Sequence, residues 1–253
     1  MKHLIITADD FGRSPTINAA IERAHRSGVL TQASLMVNEP AAAEAVAMAR
    51  RCPGLQVGLH LTLCAGLASQ VSLLTDLHGN LPVSPTRAGL RYAFSPRLIP
   101  ALQDEIAGQF DRFLSFGLPP TYWDGHLHLH LHPTIFRLGL PIALQRGFRA
   151  IRLVREPSPR SLISGIFHLL SRAAQPTLLA QGVEFSDRIF GLRQTGKMTQ
   201  SILQQLIEKI PEGLSEIYFH PGAEPEEFDY PSMAALLESL GVVLTHLPRQ
   251  IEG

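Results

Sequence analysis

Strand-like and helix-like segments alternate along this chain from end to end, and that alternation restricts the possible folds more than any other feature. Short apolar runs over 3–8, 29–37, 55–63, 121–124, 149–154, 214–219 and 242–245 predict strands. Between them lie helical patterns. One opens at Ser14-Pro15 and stops at Gly28; others cover about 40–51, 98–116, 133–146, 198–209 and 231–240, with one or two apolar helices over 160–180. Such alternation builds parallel β-α-β units, an α/β fold. Residues 66–100 carry scattered Pro and Gly and predict a long excursion over a site mouth. No linker, charge run or repeat divides the chain, so 1–253 reads as a single domain, and about 250 residues is the usual size of one α/β barrel.

Composition removes several function classes. Hydrophobic residues make up 45% and charged residues 17%, which excludes a disordered chain. Lys+Arg and Asp+Glu both number 22, so the basic excess of a nucleic-acid binder is absent. Two cysteines form no disulfide framework and lack metal-type spacing. The N-terminus shows no leader pattern and no window reaches about 18 apolar residues, so a soluble cytoplasmic protein is expected.

The residues that carry chemistry fall at the ends of predicted strands. Asp9-Asp10 leaves the first strand, His60 lies in the third, Asp124 and His126 close the fourth, and His220 follows the sixth run. In an α/β barrel the C-terminal strand ends hold the site. Two adjacent carboxylates can divide labour, one binding a cation and the other acting as general base. The segment His126-Leu-His-Leu-His-Leu-His132 repeats histidine at every second position, and an extended chain would set all four on one face. Such a face is best explained by a metal or carboxylate that keeps some imidazoles neutral and oriented. One Asp and two His from three strands suit a divalent cation with an open water position. Cys64 reads as a packing residue, and the glycine-rich nucleotide loops and the serine-hydrolase elbow are missing from the sequence.

Four motifs in order resemble those of the YdjC-like carbohydrate deacetylases: Thr7-Ala-Asp-Asp-Phe-Gly12, Val57-Gly-Leu-His-Leu-Thr-Leu63, Trp123-Asp-Gly-His-Leu-His-Leu-His130 and Glu216-Ile-Tyr-Phe-His-Pro-Gly222. Within that family the histidine tract and the apolar 160–180 segment look most like the hopanoid-biosynthesis-associated, HpnK-type branch. The resemblance implies a distorted (β/α) barrel of the polysaccharide-deacetylase-like type. It also implies removal of acetyl from an N-acetylated amino sugar with one divalent metal ion, magnesium or zinc. Carried over by motif position, Asp10, His60 and His126 are the metal ligands and Asp9 the general base. His220 is the general acid or a substrate contact. His128, His130, Asp124 and Arg152 are assigned to substrate contacts or to support of the ligands. Two positions depart from the family pattern, Thr7 where Asn is usual and Gly125 where Ser is usual.

The branch implies N-acetylglucosaminyl bacteriohopanetetrol as substrate, hence a glycolipid, a peripheral membrane contact at the inner face and, as a general default, a homodimer. The alternatives are a deacetylase of chitooligosaccharides such as diacetylchitobiose, and a non-catalytic sugar- or lipid-binding relative.

Overall fold

A computed structural model describes residues 1–157, 161–225 and 227–248. Its core is one eight-stranded parallel sheet. The strands are β1 (Lys2–Phe11), β2 (Gln32–Leu35), β3 (Gln56–Leu61), β4 (Tyr122–Gly125), β5 (Ala150–Ile151), β6 (Arg188–Phe190), β7 (Gly213–Phe219) and β8 (Val243–Leu244). They run in the order β5-β4-β3-β2-β1-β7-β6, with β8 also paired to β1. The two ends of that path meet. Ile151 N–H donates to the Glu184 carbonyl at 2.9 Å, and Ile189 N–H to the Arg155 carbonyl at 3.3 Å. The result is a distorted α/β barrel, as expected. The distortion has two visible sources: β8 pairs with His3 and Leu4 at the foot of β1, and β5 and β6 are very short.

β1 is the central strand. Eight of its ten residues, Leu4 onward, are buried, as a parallel strand covered on both faces requires. The helix after it, α1 (Pro15–Arg26), starts where Ser14 Oγ accepts from Ile17 N–H at 3.3 Å with Pro15 in the first turn. It buries Ile17, Ala20, Ile21 and Ala24. After α2 (Ala42–Arg50) and β3, the chain makes its excursion, which contains a helix the sequence did not announce, α3 (Pro85–Phe94). Ser84 caps it. α4 (Ile99–Ser115) then buries Leu102, Ile106, Phe110 and Phe113, and Phe110 meets Trp123 of β4 edge-on. α5 (Pro133–Gln145) follows β4.

The 160–180 segment is a single helix, α6 (Leu162–Ala180), closed at its start by reciprocal hydrogen bonds between Ser161 and Ser164; its first predicted residue, Arg160, lies outside the described residues. α7 (Gln200–Lys209) and α8 (Tyr230–Ser239) complete the outer layer. β6 falls in a stretch the sequence pattern left irregular, because three residues are too few to show a period. Among the described residues no helix is long and apolar enough to cross a membrane.

Candidate metal centre

The site forms where β1 loses its regularity. In a regular strand, neighbouring side chains point to opposite faces. The register with β2 shifts between Ala8 and Phe11, and Asp10 takes a left-handed backbone, φ 64°. That conformation costs a non-glycine residue about 1 kcal/mol. It lets Asp9 and Asp10 converge on one cluster. Asp10 Oδ2 accepts from Arg13 at 2.7 Å. Asp10 Oδ1 is buried with no hydrogen-bond partner; it lies 3.0 Å from His126 Nδ1 and 3.5 Å from His60 Nε2. Donor atoms of Asp10, His60 and His126 lie within 4.8 Å of one another, and all three residues are buried.

His60 is aimed from behind. Its Nδ1 lies 2.6 Å from Asp124 Oδ1 on the adjacent strand, where the register sets His60 opposite Asp124. An Nδ1–H donated to that carboxylate leaves the Nε2 lone pair facing Asp10, the support a ligating histidine needs. Asp124 Oδ2 in turn accepts from Ser34 Oγ at 2.8 Å.

Arg152 lies beneath this layer and is 1% exposed. Its guanidinium donates to both oxygens of Asp9, at 2.8 and 2.9 Å, to Glu216 at 2.9 Å, and lies 2.8 Å from Asp124. It therefore sits inside the charged network and not among the residues that line the cleft. Four carboxylates (Asp9, Asp10, Asp124, Glu216) surround two guanidiniums (Arg13, Arg152), leaving two negative charges for the imidazoles or a cation to balance. Burial opposes charging the His60 imidazole, yet Asp124 and Asp9 outweigh it and push its pKa up to about 10. An orphaned carboxylate oxygen, two imidazole nitrogens and a double negative excess together fit a divalent cation, and mixed N/O donors suit zinc or magnesium.

The histidine tract departs from its expected extended form. Residues His126–Leu131 make tight helical turns, with left-handed backbone at Leu127 (φ 52°) and His128 (φ 57°). The four imidazoles thus do not share a face. His126 joins Asp10; His128 Nε2 lies 2.9 Å from the Tyr218 hydroxyl; His130 Nε2–H donates to the Arg152 carbonyl at 2.9 Å; His132 precedes α5. The physical reason is crowding: an extended tract would stack buried imidazoles side by side, whereas the curled one gives three of them separate partners. Burial holds His130 near 4 despite Asp124, and holds His128 well below its usual range, helped by Arg152. The curl also accounts for Gly125: a Cβ there would lie 2.9 Å from the His130 Cβ and 3.0 Å from its backbone nitrogen.

His220 leaves β7 and is gripped by Glu224, which accepts from its backbone N–H at 3.1 Å and lies 3.4 Å from its Nδ1. Burial pulls this imidazole down, but Glu224, Asp9 and Asp10 leave its pKa raised. Beside the cluster the excursion after β3 walls a cleft of about 1060 Å³, lined by Arg13, Leu67, Asp76, Asn80, Arg87 and Arg91 among others. Arg13 belongs to both cleft and cluster.

The sequence is matched over residues 3–252 by the model of a family described as YdjC-like protein. The chain belongs to the YdjC-like family. Among curated relatives of this family member, a carbohydrate deacetylase from Geobacillus stearothermophilus is 39% identical over 163 residues, 64% of this chain and 63% of the relative. A chitooligosaccharide deacetylase from Serratia marcescens is 37% identical over 162 residues, 63% of this chain and 62% of the relative. The match thus spans a little under two thirds of those relatives' length. In fold, the chain is similar to a candidate cellobiose-phosphate cleavage protein from Enterococcus faecalis V583, with TM-score 0.71, 21% identity and 97% of each chain covered.

Several residues of the YdjC-like site were not singled out from sequence: Arg13, Ser34, Tyr218 and Glu224, and Glu216, quoted only as part of a motif. Glu216 had a signal, a carboxylate in an otherwise apolar strand. Ser34 and Tyr218 become legible only when distant segments are brought together, whereas Arg13 and Glu224 lie three and four residues from the groups they hold.

Proposed function

We propose that this chain hydrolyses the N-acetyl group of an acetylated amino sugar, using one divalent metal held by Asp10, His60 and His126. The carrying observation is the convergence of the unpartnered Asp10 Oδ1 with His60 Nε2 and His126 Nδ1, directly beside an Asp9 carboxylate clamped by Arg152. Deacetylase names among the relatives supply the chemical class. A bound divalent cation supplies Lewis acidity toward the acetyl carbonyl and acidifies water.

The remaining work belongs to the chain's own side chains. Arg152 fixes both Asp9 oxygens, while each oxygen retains a second lone pair to accept the proton of an attacking water. His220, whose pKa its carboxylate neighbours Glu224, Asp9 and Asp10 raise, donates a proton to the departing amine. Asp124 keeps His60 in the ligating tautomer. The products are acetate and a free amino sugar.

For the sugar, an apolar carrier of the N-acetylglucosaminyl bacteriohopanetetrol type is favoured by Leu162, Ile163 and Ile166, exposed at the start of α6, whose Phe167 touches His128. Chitooligosaccharides are the second reading, favoured by the hydrogen-bonding side chains of Arg13, Asp76, Asn80 and Arg87 in the cleft wall. The deciding assay follows acetate release, with amine formation by mass spectrometry, on both substrates. The protein is stripped by chelator and reloaded with zinc or magnesium. Metal-dependent release is expected, abolished by Asp9→Asn with metal still bound. A fully active Asp9→Asn variant overturns the base assignment, and metal-independent release overturns the centre.

A further inference from the structure

The exposed apolar side chains of this protein are not scattered. Of the fifteen large apolar residues exposed among the described residues, twelve belong to the segments that follow β3, β4 and β5. They include Leu90 and Phe94 of α3, Leu127 beside His126, and Leu162, Ile163 and Ile166 of α6. All strands are parallel, so these segments leave the barrel at one end, the end that carries the metal cluster. α3 and α6 both pack against the turns of His126–Leu131, which carry His126 of the site. Single exposed leucines are ordinary on a protein surface; a set gathered at one end is not.

Charge is segregated at the same place. The whole chain is neutral, yet residues 77–103 and 161–183 contain no Asp or Glu and four arginines, with Asp76 just before the first stretch. Arg87, Arg91 and Arg97 are exposed on and just after α3. Leucine, isoleucine and phenylalanine interleaved with arginine, in stretches poor in acids, are the composition of a surface that lies on an anionic bilayer. A self-association face would have the same apolar residues, but each copy would bring its arginines against the other's, without a balancing acid in either segment.

We propose that the mouth end of the barrel, formed by α3, the turns at Leu127 and the first half of α6, docks on the surface of an anionic lipid bilayer. The inference rests on the proposed function only in placing substrate entry at this end; docking itself requires no turnover. The apolar side chains enter the headgroup region and the arginines meet lipid phosphates, so that the cleft opens toward the membrane plane.

Flotation with phosphatidylcholine vesicles, with and without phosphatidylglycerol, tests this. The intact protein is expected to float with the anionic vesicles and to be released by high salt. The triple variant L162S/I163S/I166S, altered only at exposed positions, is expected to lose at least about tenfold in partitioning, and R97E at least about fivefold on anionic vesicles only. Melting curves confirm that each variant folds, and acetate release by R97E from a soluble chitooligosaccharide is expected to stay at the parent level. Absence of flotation, or flotation undiminished in the triple variant, overturns the proposal. So does a dimer in sedimentation that the triple variant dissolves without any vesicle binding, which would assign the face to a second copy. If flotation behaves as expected but no acetylated sugar is turned over, docking stands and the deacetylase reading falls.

Discussion

Replacing Arg152 by Met keeps much of the side-chain volume and removes one charge from a site 1% exposed. Three carboxylates then lose their shared counter-charge: Asp9 its two bonds at 2.8 and 2.9 Å, Glu216 one at 2.9 Å, and Asp124 its partner at 2.8 Å. Removing one member of a buried ion pair costs about 3–5 kcal/mol. Here one residue serves three partners, but a carboxylate can escape its penalty by binding a proton, which limits the total. A loss of about 4 kcal/mol at pH 7.5 is expected, roughly a 10 °C fall in Tm for a domain of this size. The pH dependence tests the cause. Without Arg152 the folded-state carboxylates have raised pKa values, so the folded variant binds more protons than the unfolded chain. Its stability deficit must therefore shrink as pH falls toward 5. Urea unfolding of metal-free parent and variant at pH 7.5 and 5.5 measures both quantities. Adding E216Q to R152M removes one uncompensated charge and is expected to recover part of the loss. A deficit under about 1 kcal/mol, or one that does not change with pH, would refute the view that Arg152 neutralises this cluster.

Two further outcomes concern the metal. Asp124→Asn leaves Asp10, His60 and His126 in place but offers His60 Nδ1 an amide that can present its own N–H; metal affinity is expected to fall about 10–100-fold, read by competition with a chelating dye, with an unchanged value excluding the aiming role. His60 is held near 10 against an ordinary 6.5 in the metal-free cluster, so it must release a proton to ligate. Its contribution to metal-free stability is full below about 6.5 and is lost as pH rises toward 10, and over that window metal affinity is expected to rise about tenfold per pH unit with one proton released per ion. Calorimetry in buffers of different ionisation heat counts that proton, and a pH-independent affinity contradicts the scheme.

The strand ends were the legible part of this chain. Asp9-Asp10, His60, Asp124 and His220 stand out because charged or titratable residues interrupt apolar runs, and burial of both strand faces makes such interruptions conspicuous. The cap at Ser14 and the apolar face of α1 were equally plain, since both depend on neighbours in sequence. The histidine tract was misread as extended because period 2 is a strand signal only when the backbone stays in the β region. Nothing in the residue pattern announces left-handed Leu127 and His128. α3 was hidden among Pro and Gly that punctuate its flanks, although Ser84-Pro85 repeats the Ser14-Pro15 start of α1. The partners that aim the site, Ser34 on Asp124, Tyr218 on His128 and Arg152 on Asp9, are 90, 90 and 143 residues away from the groups they hold. Separations of that size are set by topology, which the strand order supplies and local pattern does not.

The placement of Arg152 has an evolutionary side. It comes from the segment at β5 and ties Asp9 of β1, Asp124 beyond β3 on β4, and Glu216 of β7, so one guanidinium joins strands from both halves of the barrel. The charges proposed to run the reaction are the same ones that staple the barrel across its interior. A descendant that no longer needed the chemistry could not shed Asp9 or Asp124 singly by drift, because each loss would unbalance a buried ion network before any new use had been selected. Retirement of the activity on this scaffold would demand coordinated replacement of the whole cluster, and lineages would tend to change what enters the cleft while keeping what lies beneath it.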